Sequence, residues 1–172
     1  MNAAESGVVR RLPGFVETVI VGGLIAGVLD GLDAIVYFRL AIGASAVRIF
    51  QSVASGAFGA AAFQGGARMA LYGVFFHFVV ALGIAAAYFV LCRIIPVIVT
   101  RPYLSGTVFG LIAFAVMFQI VLPLSAVRAR KNPMGMPEFL NELFAHVVLV
   151  GIPIALCAYR STKSRNQFST RP

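Results

Sequence analysis

The chain has 172 residues, of which 60% are hydrophobic and 12% charged, and its mean hydropathy is +0.93. Soluble domains are about 45–50% apolar and about 25% charged, and a globule of this length cannot bury so much apolar surface. The net charge is +8. The basic residues that produce it lie beside apolar segments and do not form one basic stripe with interleaved aromatics. Composition therefore predicts an integral membrane protein that contacts the lipid bilayer and its anionic headgroups, and it argues against nucleic-acid binding.

Four apolar segments are each long enough for the about 20 residues that a membrane-spanning helix needs. They are predicted at residues 15–38, 70–95, 103–124 and 138–159. The first contains Gly23, Gly27 and Gly31 on one helix face, a spacing that lets another helix pack closely against it. Pro153 lies inside the last span, where it removes a backbone hydrogen bond and favours a kink.

The segment between the first two spans is too apolar for a solvated loop. Within residues 45–63, Arg48, Gln51, Ser52 and Ser55 fall on one helix face and apolar residues fall on the other. This pattern predicts an amphipathic helix in the membrane interface; the alternative is a re-entrant segment, which must be covered by protein.

The predicted fold class is therefore all-α: an integral membrane four-helix bundle with an interfacial amphipathic helix between the first and second spans. Residues 1–160 form a single transmembrane domain, and residues 161–172 are expected to be a basic cytoplasmic tail without regular structure. Basic residues number eight on the side of the N-terminus and six on the other, which favours both termini in the cytoplasm.

A short repeat indicates an internal duplication of a helix pair. Ser45-Ala46-Val47-Arg48 follows the first span, and Ser125-Ala126-Val127-Arg128 follows the third. His77 lies in the second span and His146 in the fourth. The hypothesis is a parallel repeat about an axis along the membrane normal, as in some transporters.

Several of these features together resemble small four-helix bacterial inner-membrane proteins of unassigned function. The resemblance rests on the glycine-rich first span that reaches Asp30, the stretch 51–59, His77, Leu122-Pro123-Leu124-Ser125 and Gly151-Ile152-Pro153. It implies a bacterial cytoplasmic membrane and no particular activity.

Ionisable side chains inside a span are costly and usually have a partner or a function. The candidates are Asp30 and Asp33 in the first span, His77 in the second, and Glu142 and His146 in the fourth. Gln119 in the third span is a neutral addition. All six are predicted in the outer half of the membrane, where they would form one small polar site.

Three uses of this site remain open. It could bind or move a proton or small polar ligand, and because four helices enclose little volume, transport would favour a homodimer that packs through the glycine face. It could hold a metal ion, through His77, His146, Asp30 and Glu142, or a haem between the two histidines. Alternatively, the residues could only fix helix register in a non-catalytic subunit of a larger membrane complex. The sequence has no G-x-S-x-G, Walker A, H-E-x-x-H or dinucleotide motif in a suitable context, so enzyme activity is not expected.

Overall fold

The computed structural model describes residues 12–126 and 134–169, with side chains up to residue 167. Within these residues the chain is helical and contains no strand, so the all-α prediction is confirmed. The main helices are α1 (Val16–Ile42), α2 (Ala46–Phe58), α3 (Gly66–Ile94), α4 (Pro102–Leu124) and α5, which starts at Met136 and continues through Ser169. Two 3-10 helices, Gly59–Gln64 and Pro96–Thr100, precede α3 and α4.

Five helical segments of the described chain are long and apolar enough to cross a membrane, whereas the sequence predicted four. The additional segment is Ala46–Gln64, which comprises α2 and the 3-10 helix after it. Many large apolar side chains point outward, including Leu71 at 70% and Phe75 at 60% exposure. Apolar surface of this extent is typical of a lipid-facing protein.

Helices α1 and α3 pack antiparallel through the glycines predicted as a packing face. An added Cβ at Gly23 would lie 2.9 Å from the side chain of Leu82, and one at Gly27 would lie 2.8 Å from the ring of Phe78. A side chain at either position would therefore require the facing side chains of α3 to move. The glycine face of α1 is therefore covered by α3 of the same chain.

Helices α4 and α5 also cross at glycines, and here backbone meets backbone. An added Cβ at Gly110 would lie 2.5 Å from the carbonyl oxygen of His146, and one at Gly106 would lie 2.8 Å from Cα of Ile152. On the α5 side, a Cβ at Gly151 would overlap the backbone carbonyl of Gly106. This crossing sets the position of His146 in the bundle.

Helix α5 runs antiparallel to α1 as well. The backbone N–H of Gly14, just before α1, donates to the Ser161 hydroxyl over 2.8 Å, while Asn141 of α5 reaches Asp33 near the other end of α1. The sequence predicted a tail without regular structure after residue 160, but α5 remains helical there. The bond to Gly14 and the bond from Thr162 to the Ala158 carbonyl hold this turn in place.

The segment Ala46–Gln64 folds back on itself. Arg48 near its start lies 4.0 Å from the ring centroid of Phe63 near its end, whereas fifteen residues of straight α-helix would separate them by about 22 Å. The reversal occurs at Gly59, whose φ of 59° suits glycine. Since α1 and α3 are antiparallel, the segment begins and ends at the same end of the bundle, here called the α2 end.

The polar face of α2 is not turned entirely outward as the sequence suggested. Gln51 and Ser55 are each only 5% exposed, while Phe58 is 42% exposed. The amide of Gln51 donates to the carbonyl of Gly66 over 3.0 Å, which explains its burial: it satisfies a backbone group at the start of α3. Helical periodicity identified a polar face correctly but not the surface that this face contacts.

Three stretches of the bundle have π-helical hydrogen bonding: Val16–Val21, Met117–Val121 and Ala145–Gly151. The second ends two residues before Pro123 and the third two residues before Pro153. Proline has no N–H and its ring crowds the preceding turn, so a locally wider turn relieves the conflict. The helix distortion expected at Pro153 thus takes the form of a π turn that contains His146.

Candidate functional site

Three helices bring ionisable side chains to a similar depth near the middle of the bundle. Asp30 lies twelve residues before Ile42, the last residue of α1, and His77 lies eleven residues after the start of α3. His146 lies ten residues after the start of α5. At 1.5 Å per residue these positions are about 18, 17 and 15 Å from the α2 end.

The ring of His77 is fixed against the backbone of α1. Its Nε2 lies 2.7 Å from the carbonyl oxygen of Gly27, and an added Cβ at Gly31 would lie 3.2 Å from the same nitrogen. A carbonyl only accepts, so Nε2 carries the proton and donates. In the neutral ring, Nδ1 is therefore left with a lone pair.

Asp30 faces that lone pair. Its Oδ2 lies 3.9 Å from Nδ1 of His77, and both side chains are largely buried, at 27% and 14% exposure. With Asp30 ionised and His77 neutral, two acceptors would face each other. One additional proton, on either group, converts them into a donor and an acceptor. His146 and Asp33 lie within electrostatic range of Asp30.

His146 is held by its own helix and by α4. Its Nδ1 lies 2.9 Å from the carbonyl oxygen of Glu142 and therefore donates to it. The carboxylate of Glu142 lies 4.0 Å from the same nitrogen. The ring contacts Phe114 and Phe118 of α4, with centroids 5.6 and 6.2 Å away. Glu142, one helical turn earlier, therefore holds His146 through its backbone carbonyl.

Asp33 has a partner that the sequence did not suggest. The side-chain amide of Asn141 donates to its Oδ2 over 2.8 Å, joining α1 to α5. Asn141 is adjacent to Glu142 in an apolar helix, and this was the signal that could have identified it. The bond holds one carboxylate of α1 as an acceptor, so Asp30 and Asp33 are in different environments.

Gln119 is not part of this cluster. Its side chain is on an exposed face of α4, whereas Phe114 and Phe118 form the face that meets His146. Gln119 lies inside the π turn Met117–Val121. The wider turn alters the angular position of residues within it, so their face could not be predicted from 3.6-residue periodicity.

Helix α2 covers the cluster, which sequence reasoning also missed. The ring of Phe50 lies 6.0 Å from that of His77 in an edge-to-face arrangement. A Cβ at Gly73, one turn before His77, would overlap the backbone carbonyl of Phe50. The absence of a side chain at Gly73 is what allows α2 to approach α3 so closely.

Of the side chains predicted as metal or haem ligands, the two histidines are hydrogen bonded to backbone carbonyls. Within the described residues, no three or more His, Cys, Asp and Glu side chains are grouped so that they could hold a metal ion. His77 and His146 each use one ring nitrogen on a backbone carbonyl.

A family described as "Protein of unknown function (DUF1440)" matches residues 57–153, more than half of the chain. The chain belongs to this family. The matched region includes His77, Asn141, Glu142 and His146, whereas Asp30 and Asp33 precede it. The family carries no assigned function, as the sequence resemblance implied. No curated protein and no solved structure matches the chain.

Proposed function

We propose that this protein is an integral membrane protein that binds a proton reversibly at Asp30 and His77, inside its helix bundle. The observation that carries the proposal is the facing of Asp30 Oδ2 and His77 Nδ1 while Nε2 is committed to the Gly27 carbonyl. Two acceptors this close repel each other unless one of them is protonated. One proton held between the two side chains gives the arrangement with the lowest free energy. Intramembrane Asp and His residues are typical of proton sites.

The surrounding residues support exchange with the α2 end of the bundle. Along their helices, all three other members of the cluster lie at the depth of Asp30 or closer to the α2 end: Asp33, Glu142 and His146. Phe50 of α2 lies against His77 on the same side. We infer that a proton enters and leaves through this half, and that α2 controls its access.

Acid-induced infrared difference spectra of the protein in lipid nanodiscs test the proposal. Lowering the pH should produce bands from a carboxyl group or an imidazole ring that disappear in both Asp30→Asn and His77→Gln. Glu17→Gln is the matched control, because Glu17 is an exposed acid at the far end of α1. Spectra of Asp30→Asn and His77→Gln that are identical to those of the wild type would rule out the proposed site.

We also propose that four helices, α1, α3, α4 and α5, cross the membrane as a bundle, with both termini on the cytoplasmic side. Two contacts support this topology. Gly14 before α1 bonds to Ser161 near the end of α5, so the two ends of the described chain meet. Arg48 meets Phe63, so Ala46–Gln64 does not extend across the thickness of the bundle.

Cysteine labelling in intact cells tests this topology. In a Cys92→Ala, Cys157→Ala background, single cysteines replace the exposed residues Ala46, Gln64 and Ser164. We expect a membrane-impermeant reagent to label positions 46 and 64 from one side and position 164 only from the other. If positions 46 and 64 react from opposite sides, the segment crosses the membrane and the chain has five spans.

The second candidate function is that of a non-catalytic partner subunit, in which the polar residues only fix helix register. The bond from Asn141 to Asp33 favours it, because that contact joins α1 to α5 without any proton exchange. The infrared experiment separates the two candidates, since a structural role predicts no acid-induced bands from Asp30.

A further inference from the structure

The end of the bundle opposite the α2 end contains a cavity of about 520 Å³. Three parts of the chain line it: the residues before α1, the 3-10 helix before α4 and the last turns of α5. Its lining includes the apolar residues Pro13, Pro96 and Val99 and the polar residues Thr100, Thr162 and Lys163. The lining therefore combines groups suited to hydrocarbon with a group suited to an anion.

The described lining of the cavity carries a positive charge from Lys163. Lys163 is the charged residue among the described residues that line the cavity, and no acid is among them. Arg160 and Arg165 are exposed on the same helix. The acid of α1 at this end, Glu17, is exposed and does not line the cavity. An anion is thus the complementary ligand.

The depth of the cavity indicates which anion. Helix α5 is apolar up to Tyr159 and polar from Arg160 onward, and both Tyr159 and Lys163 line the cavity. The change from apolar to polar sequence marks the level at which a spanning helix leaves the hydrocarbon. Lipid phosphates lie at this level, and basic pockets between spanning helices bind anionic headgroups.

We propose that this cavity is a binding site for one anionic phospholipid. Lys163 contacts the phosphate, and the first carbons of an acyl chain lie against Pro13, Pro96 and Val99. The Thr100 and Thr162 hydroxyls, which donate to backbone carbonyls, accept from hydroxyls of the headgroup. The site lies at the end of the bundle opposite α2 and its lining contains neither Asp30 nor His77, so it does not depend on the proposed proton site. We therefore expect the protein to retain anionic phospholipid specifically, in addition to the general attraction of its basic residues to the membrane surface.

Native mass spectrometry tests this site. Protein in neutral detergent is mixed with phosphatidylglycerol or with phosphatidylcholine of the same acyl chains. We expect one phosphatidylglycerol to bind in preference to phosphatidylcholine. In Lys163→Gln its affinity should fall about fivefold, the effect of one basic residue near a lipid surface. Thr100→Trp, which fills the cavity, should reduce binding independently of charge.

Arg165→Gln is the matched control, because it removes one positive charge from the same helix at an exposed position that does not line the cavity. It should leave phosphatidylglycerol binding unchanged. Equal losses in Lys163→Gln and Arg165→Gln would show diffuse attraction and would overturn the proposal. Binding of free inorganic phosphate that excludes phosphatidylglycerol would overturn it as well, because the ligand would then be a soluble anion.

Discussion

Replacing Gly110 by Leu is expected to destabilise the bundle more than any other single change considered above. The first added atom, Cβ, would already lie 2.5 Å from the carbonyl oxygen of His146 and 2.6 Å from Cα of Val147. Both are backbone atoms of α5, so the clash cannot be relieved by a side-chain rotation. Overpacking of a well-packed core costs about 1–3 kcal/mol, and separation of α4 from α5 would place the cost at or above the upper end.

Unfolding of the purified protein in mixed micelles, followed by far-UV circular dichroism, measures this cost. Gly83→Leu is the control, because an added Cβ at Gly83 of α3 meets no atom within 4 Å. Leu is a better helix former than Gly, so Gly83→Leu should retain or raise the stability of the wild type. Equal stabilities of the two variants would mean that α4 and α5 do not cross at Gly110.

Asp30→Asn is expected to abolish the acid-induced change at His77. The side-chain amide of Asn can donate to the Nδ1 lone pair, so the facing groups are satisfied without an additional proton. The neutral ring, with Nε2 bonded to the Gly27 carbonyl, should then persist on acidification. The ¹⁵N resonances of His77 in lipid nanodiscs report this directly, because protonated and unprotonated ring nitrogens differ widely in chemical shift.

Four of the five long apolar helices, and the depth of the polar residues along them, could be predicted from the sequence because each depends on a single helix. Apolar length alone marks a span, and the depth of Asp30, His77 and His146 follows from residue counts along straight helices. The glycines at positions 23 and 27 indicated a close approach of another helix. Their partner, α3, could not be identified, because periodicity defines a face and not its neighbour.

The features that the sequence did not reveal depend on contacts between elements. Gln51 is buried because it meets the carbonyl of Gly66, and Asn141 matters because α5 places it beside Asp33. Neither contact leaves a periodic signal. The fold-back of Ala46–Gln64 depends on one backbone conformation at Gly59, in a segment where several glycines offered alternatives.

The proline-associated π turns explain the remaining differences between the predicted and the observed positions of side chains. Regular periodicity left the face of Gln119 uncertain, and the π turn Met117–Val121 places it on an exposed side. The π turn Ala145–Gly151 lies at the crossing with Gly110, where it presents His146 to Phe114. A sequence pattern based on 3.6 residues per turn cannot follow a helix through such a change of pitch.

Reversible proton binding at Asp30 and His77 is tested most directly by the ¹⁵N spectrum of His77 in the wild type and in Asp30→Asn, with His146 as an internal reference. At neutral and higher pH, His77 should be protonated at Nε2 and His146 at Nδ1. On acidification, a proton-bound state of the His77 ring and its partner carboxyl should appear in the wild type and be absent in Asp30→Asn. Spectra of His77 that respond to pH identically in both proteins would contradict proton binding by this pair.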